Sequence, residues 1–180
     1  MSIAHPPGRP GDNPSVTPAP LPFFVYGTLR PGETNHALFL SGRTLTEEPA
    51  RLTGAVLYDG PGYPYAVEAP GGHLHGDLVT VAPEYYPATL GELDALEEYR
   101  ADDPDSPYLR VTREVVRGRS SDVVRAWVYI AGPRISTHLR DTGTLIENGD
   151  WLTRHRPDGV SVTRSPLPGK VFPGLSPHPR

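Results

Sequence analysis

Two short runs carry residue types that could do chemistry together: Tyr26-Gly27-Thr28-Leu29-Arg30 and, later, Leu93-Asp94-Ala95-Leu96-Glu97-Glu98-Tyr99. Phe23, Phe24, Val25 and Tyr26 form an aromatic and β-branched run that reads as a buried strand, ended by Gly27. Pro31-Gly32 then forces a turn. Backbone amides just past a strand end, beside a glycine with no Cβ, can approach a ligand closely and bind an anion or a carbonyl oxygen. The second run supplies an acid. Loop amides plus one acid suffice for an acyl transfer that needs no cofactor.

Spacing selects which acid. The pattern over Tyr86 to Tyr99 predicts a helix, at about 100° per residue. With Leu90 as origin, Leu93 falls near ~300°, Tyr86 near ~320° and Glu97 near ~340°, so Glu97 lies within the apolar face. Glu98, near ~80°, lies on the flank, Glu92, near ~200°, faces solvent, and Asp94, near ~40°, sits on the edge. A carboxylate on an apolar face loses hydration, and desolvation favours its neutral form, the direction that suits a base working at neutral pH. The competing reading is plainer. Seven of the 21 acids fall between Glu92 and Asp105, and such a cluster is usually a solvated helix end and loop. Pro87 and Gly91 also weaken the helix.

The two runs, with three others, make the chain resemble the γ-glutamylcyclotransferase-like (AIG2-like) family. Its members open with a strand ending in Tyr-Gly-Thr/Ser-Leu or -Asn, here FFVYGTLR at Phe23 to Arg30, and later carry Leu-Asp-x-x-Glu, here LDALEEY. Gly76-Asp77-Leu78 resembles the family's Gly-Glu-Leu, Tyr108-Leu109-Arg110 its Tyr-x-Arg, and Asn148-Gly149-Asp150-Trp151 its terminal Ser-Gly-Asp-Trp. Order and spacing agree from Phe23 to Trp151. One residue departs: Glu98 stands where the family usually has glycine. The resemblance implies an α+β fold, a small mixed β-barrel or curled sheet with a few outer helices and a pocket at one end. It implies Glu97 as general acid/base. Tyr26, Gly27, Thr28 and Leu29 become substrate-binding residues, and Tyr108 a pocket hydroxyl. The implied reaction cyclises a γ-glutamyl amine or amino acid to 5-oxoproline and frees the amine. A non-catalytic module using the same pocket to bind a small ligand is the alternative. A tailoring enzyme that removes a γ-glutamyl group from a secondary-metabolite amine is a closer variant. The leaving group would meet loops such as Gly60 to Tyr65 and Ala101 to Tyr108.

Composition sets the outer bounds. A chain of 180 residues suits one domain. Thirteen of the 23 prolines lie in residues 1–22 or 157–180, so both segments read as mobile tails around a domain at 23–156. A formal charge of −4 with no basic stripe argues against nucleic acid. There is no cysteine, hence no disulfide, thiol nucleophile or zinc–thiolate site. The apolar runs are too short to span a bilayer, and no basic segment leads into an apolar one near the start, so cytoplasm is the expected location. His73-Leu74-His75 would set two imidazoles on one strand face. No third ligand is recognisable and Gly71-Gly72 suggest a loop, so no metal is expected. His36 reads as a helix-surface histidine, and Tyr129 as a core or rim tyrosine. Strands are expected at Arg51–Tyr58, Gly76–Val81, Arg110–Val116 and Val123–Ile130. Helices are expected at Thr34–Leu40, with Thr34 as cap, and at Arg134–Leu139.

Overall fold

In the computed structural model the described residues are 20–154, so both proline-rich tails lie outside them except for residues 20–22. Ten elements follow one another: β1 (Phe23–Val25), α1 (Thr34–Phe39), β2 (Thr44–Asp59), β3 (Tyr65–Val81), α2 (Tyr86–Leu96), β4 (Tyr108–Arg117), β5 (Val123–Ala131), α3 (Pro133–Thr142), β6 (Thr144–Ile146) and a 3₁₀ turn at Trp151–Thr153. Five strands close on themselves in the order β3-β1-β5-β4-β2 and back to β3, with β6 attached to β2. The barrel is mixed because β1 runs parallel to β5, at Phe23↔Trp127, while the other pairings are antiparallel. Closure removes the open sheet edges that a flat sheet of these strands would present. Among the described residues no helix is long and apolar enough to cross a membrane.

Alternation along each strand divides the core. Phe24, Leu52, Leu74, Leu78, Val115 and Val128, drawn from all five barrel strands, share one buried cluster. Their neighbours Phe23, Val25, Val79 and Tyr129 face the other way and join Leu93 of α2 and Ile135 and Leu139 of α3 in a second cluster. The helices therefore cover the outside of the barrel, and the strand end at Tyr26 emerges between the two layers.

Several elements differ from the sequence expectation. The strands β2 and β3 are far longer than Arg51–Tyr58 and Gly76–Val81. Gly71-Gly72, expected as a loop, lies inside β3: residues 69–72 bulge opposite Gly54 between the pairs Thr53↔His73 and Ala55↔Glu68. A Cβ at Gly72 would lie 2.4 Å from the Ala55 carbonyl oxygen, so glycine here permits strand contact rather than ending the strand. Thr34 is the first residue of α1, not its cap; Glu33 occupies the cap and makes no side-chain capping bond. The helix α3 runs three residues past Leu139, to Thr142. The strand β6 and the 3₁₀ turn were not anticipated; each has only three residues, too few for periodicity to register.

The helix α2 stops at Leu96, three residues before Tyr99, and the manner of its stopping matters. Glu98 N–H bonds to the Ala95 carbonyl at 3.2 Å and Tyr99 N–H to the Asp94 carbonyl at 2.9 Å, the paired bonds of a Schellman cap. That cap needs a left-handed residue, and Glu98 takes it with φ = 53°. A side chain there costs about 1–2 kcal/mol, against roughly 0.5–1 kcal/mol for the extra unfolded-state freedom of a glycine. Glu98→Gly is therefore expected to raise stability by about 0.5 kcal/mol, a rise of about 2 °C in melting temperature. A lower melting temperature in that variant would refute the strain account.

Candidate functional site

The recess at the end of β1 is lined by residues from five separate parts of the chain: Tyr26 to Leu29, the Tyr63-Pro64 turn, Leu93 and Glu97 of the acid segment, Tyr108 of β4 and Tyr129 of β5. It encloses a cavity of about 30 Å³. All six site residues read from the sequence, Tyr26, Gly27, Thr28, Leu29, Glu97 and Tyr108, lie on its walls. Glu97 is the cap residue of α2 rather than part of its interior, with its N–H on the Leu93 carbonyl at 2.9 Å. It is 9% exposed, whereas Glu98 faces solvent. The Schellman turn keeps the chain from carrying Glu97 outward, so the acid ends against the barrel wall.

The amide loop opposite is tied down at its oxygens. Arg30 N–H bonds to the Gly27 carbonyl at 3.0 Å, and the Thr28 carbonyl accepts from Asn35 and His36 N–H at 3.1 and 3.2 Å. Asn35 Nδ2 also donates to Thr28 Oγ1 at 2.9 Å. Among the described residues, the N–H groups of Gly27, Thr28 and Leu29 have no partner. Buried amides are normally paired. Three successive donors unpaired among the described residues, at a pocket wall, are a donor set able to hold an anion or a polarised carbonyl.

Gly27 is required by packing: a Cβ there would lie 2.7 Å from both Cδ and Cγ of Pro64. The clash falls on the facing loop. A proline ring cannot rotate away, so Gly27→Val is expected to cost about 1–3 kcal/mol and to displace the loop amides. Thermal melting and a ligand titration check this, and a variant with wild-type melting and affinity would disprove it.

Tyrosines make up much of the remaining wall. Tyr26 Oη donates to the Tyr129 carbonyl at 2.6 Å, Tyr108 Oη to the Pro64 carbonyl at 3.3 Å, and Tyr65 Oη to Tyr63 Oη at 3.2 Å. The Tyr108 hydroxyl thus braces the turn beside Gly27, and its ring stacks on Tyr65 at 5.7 Å. Burial pushes the hydroxyls of Tyr26, Tyr63, Tyr65, Tyr108 and Tyr129 above the ordinary tyrosine value, and the nearby Glu97 charge adds to the effect in each. All five therefore remain protonated phenols at neutral pH.

Two ion-pair nodes hold this arrangement. Arg30, buried, donates from Nε to Asp77 at 2.6 Å and from Nη1 to Asp150 at 2.6 Å, so one guanidinium joins the Tyr-Gly-Thr-Leu-Arg loop, the Gly-Asp-Leu strand and the Asn-Gly-Asp-Trp turn. That last turn docks through Gly149, whose carbonyl accepts from His75 N–H at 2.8 Å. Its φ of +64° and a Cβ position 2.2 Å from the His73 carbonyl oxygen admit only glycine. Arg110 joins the two remaining runs by donating to Asp94 at 2.6 Å. The sequence placed Asp94 on a helix edge and Tyr129 in the core or rim, yet Tyr129 lines the pocket and donates to Asp94 at 2.7 Å. Period two along β5 could have flagged Tyr129, which faces away from Val128 and Ile130. Nothing local marks Tyr63. His36 faces Glu47 at 2.7 Å. His73 and His75 are exposed with rings 5.6 Å apart. Among the described residues no group of three or more His, Cys, Asp or Glu is placed to hold a metal ion.

Comparison with known proteins agrees with the geometry. The family model described as gamma-glutamyl cyclotransferase, AIG2-like, matches residues 23–153. A Vibrio cholerae protein that carries the family's name is 34% identical over 137 residues, 73% of this chain and 95% of that protein. The γ-L-glutamyl-butirosin B γ-glutamyl cyclotransferase of Niallia circulans is 40% identical over 79 residues, 42% of this chain and 45% of that enzyme. The crystal structure of a mouse AIG2-like protein shares the fold, with a TM-score of 0.50 at 23% identity over 63% of this chain and 80% of that one. The chain belongs to the γ-glutamyl cyclotransferase, AIG2-like family.

Proposed function

We propose that the protein is a γ-glutamylcyclotransferase that converts a small-molecule γ-glutamyl amine or amino acid to 5-oxoproline and the free amine. One observation carries the reading: a buried carboxylate, Glu97, and three amides unpaired among the described residues, Gly27 to Leu29, line the same small recess. The substrate brings its own nucleophile, and ring closure supplies much of the proximity advantage.

Glu97 takes a proton from the α-ammonium. The freed amine attacks the γ-carbonyl carbon, a new C–N bond closes the five-membered ring, and the carbonyl oxygen becomes an oxyanion. The loop amides stabilise that charge. The C–N bond to the leaving nitrogen then breaks while Glu97 returns its proton to that nitrogen. Glu97 then takes the second proton from the ring nitrogen and passes it to the freed amine, so the ring nitrogen loses two protons, the leaving nitrogen gains two, and the carboxylate ends as it began. The tyrosine hydroxyls keep their protons throughout and act as fixed dipoles.

The test is a panel of γ-glutamyl amines and dipeptides incubated with the full chain, with 5-oxoproline and free amine measured in equal amounts. Binding of a γ-glutamyl compound without release of 5-oxoproline would establish the alternative, a pocket that recognises without turnover.

A further inference from the structure

Asp94 lies three residues before Glu97, so one helix end delivers two carboxyl groups to the same region. Both Asp94 oxygens are occupied. Oδ1 accepts from Tyr129 Oη at 2.7 Å and Oδ2 from Arg110 Nη1 at 2.6 Å. Arg110 is in turn held between aromatic faces, 5.1 Å from the Tyr99 ring centroid and 4.7 Å from that of Trp127. Its buried Nε has no hydrogen-bond partner among the described residues, so Asp94 is its ion-pair partner there and aromatic stacking does the rest. Tyr129 is also fixed at its backbone, where its carbonyl accepts from Tyr26 Oη at 2.6 Å. The ring is therefore anchored at both ends, between the amide loop and the acid helix.

A phenol has one hydrogen to give and lone pairs to accept with. A carboxylate paired with a guanidinium only accepts, so the Tyr129 hydrogen must point to Asp94. Toward the pocket, Tyr129 offers lone pairs alone. We propose that Asp94 and Arg110 are positioning residues that hold the Tyr129 hydroxyl as a hydrogen-bond acceptor for the α-ammonium of the substrate, beside Glu97. With one ammonium N–H on Glu97 and a second on Tyr129, the nitrogen is held in the orientation from which it attacks after losing a proton. The inference rests on the γ-glutamyl reading.

Titration calorimetry on the full chain carrying Glu97→Gln, which leaves the substrate unconsumed, compares two probes. γ-Glutamyl-alanine has the α-ammonium; glutaryl-alanine is the same molecule without it. Adding Tyr129→Phe is expected to weaken γ-glutamyl-alanine about tenfold, the usual scale for a hydrogen bond to a charged group, and glutaryl-alanine less than about twofold. Asp94→Asn should match it, since an amide can donate to Tyr129 as well as accept, and the two changes together should lose no more than either alone. Arg110→Lys gives a smaller loss of the same selectivity, because the charge remains but the stacked plane is gone. Equal losses for both probes would mean that these residues only support the fold, and no loss for either, or no binding of either, also overturns the proposal. Release of 5-oxoproline by the unmodified chain tests the reaction separately, so loss of ammonium selectivity without turnover would retain the contact and remove only the chemistry.

Discussion

Glu97→Gln is expected to lower turnover of a γ-glutamyl substrate by ~100- to 10,000-fold while leaving the protein folded. The amide keeps the volume and part of the hydrogen bonding of the carboxylate but cannot accept the ammonium proton or return it to the leaving nitrogen. Glu97 is 9% exposed, so replacing its charge with a neutral amide also relieves a desolvation cost and should not reduce stability. Binding of 5-oxoproline, which has no ammonium to deprotonate, should survive better than turnover. Glu98→Gln is the internal control. Its side chain is exposed, and it should keep most of the activity. Equal activity of the two variants, or a dead Glu98→Gln beside an active Glu97→Gln, would remove Glu97 as the base.

Arg30→Met should be the most damaging change to stability among the residues around the site, at about 3–5 kcal/mol. The substitution keeps much of the side-chain volume but leaves Asp77 and Asp150, both drawn to one guanidinium at 2.6 Å, without their shared counter-charge. For a domain of this size that corresponds to a fall of about 10–15 °C in melting temperature. Activity should fall further than stability requires at temperatures where the variant is still folded, because Arg30 also closes the turn that presents the amides of Gly27 to Leu29. Arg30→Lys should recover only part of the loss, since an ammonium lacks the planar fork that reaches two carboxylates from fixed directions. A melting temperature within about 2 °C of wild type for Arg30→Met would show that the node contributes little and that the three segments are held by packing alone.

The parts of this protein that depend on local spacing were legible before the fold was known. Helical periodicity placed Glu97 inward and Glu98 outward, because the 100° step survives to the last turn even though the helix ends three residues sooner than expected. The aromatic run before Gly27 marked the strand end beside the recess, and residue order alone was enough to identify the family. Other features depend on groups far apart in the chain and emerge with the folded barrel. Barrel closure rests on the pairing of β1 with β3 and β5, across more than fifty residues in the first case and about a hundred in the second. Gly27 reads locally as the strand-ending residue whose missing Cβ lets a ligand approach, yet what a side chain there would meet is Pro64, 37 positions away. Arg30 and Arg110 stand in recognisable motifs, yet nothing in those motifs names Asp77, Asp150 and Asp94 as the partners the fold brings to them. A charge reveals its partner only when the chain has closed, because ion pairing follows distance in space, and sequence separation carries little information about that distance.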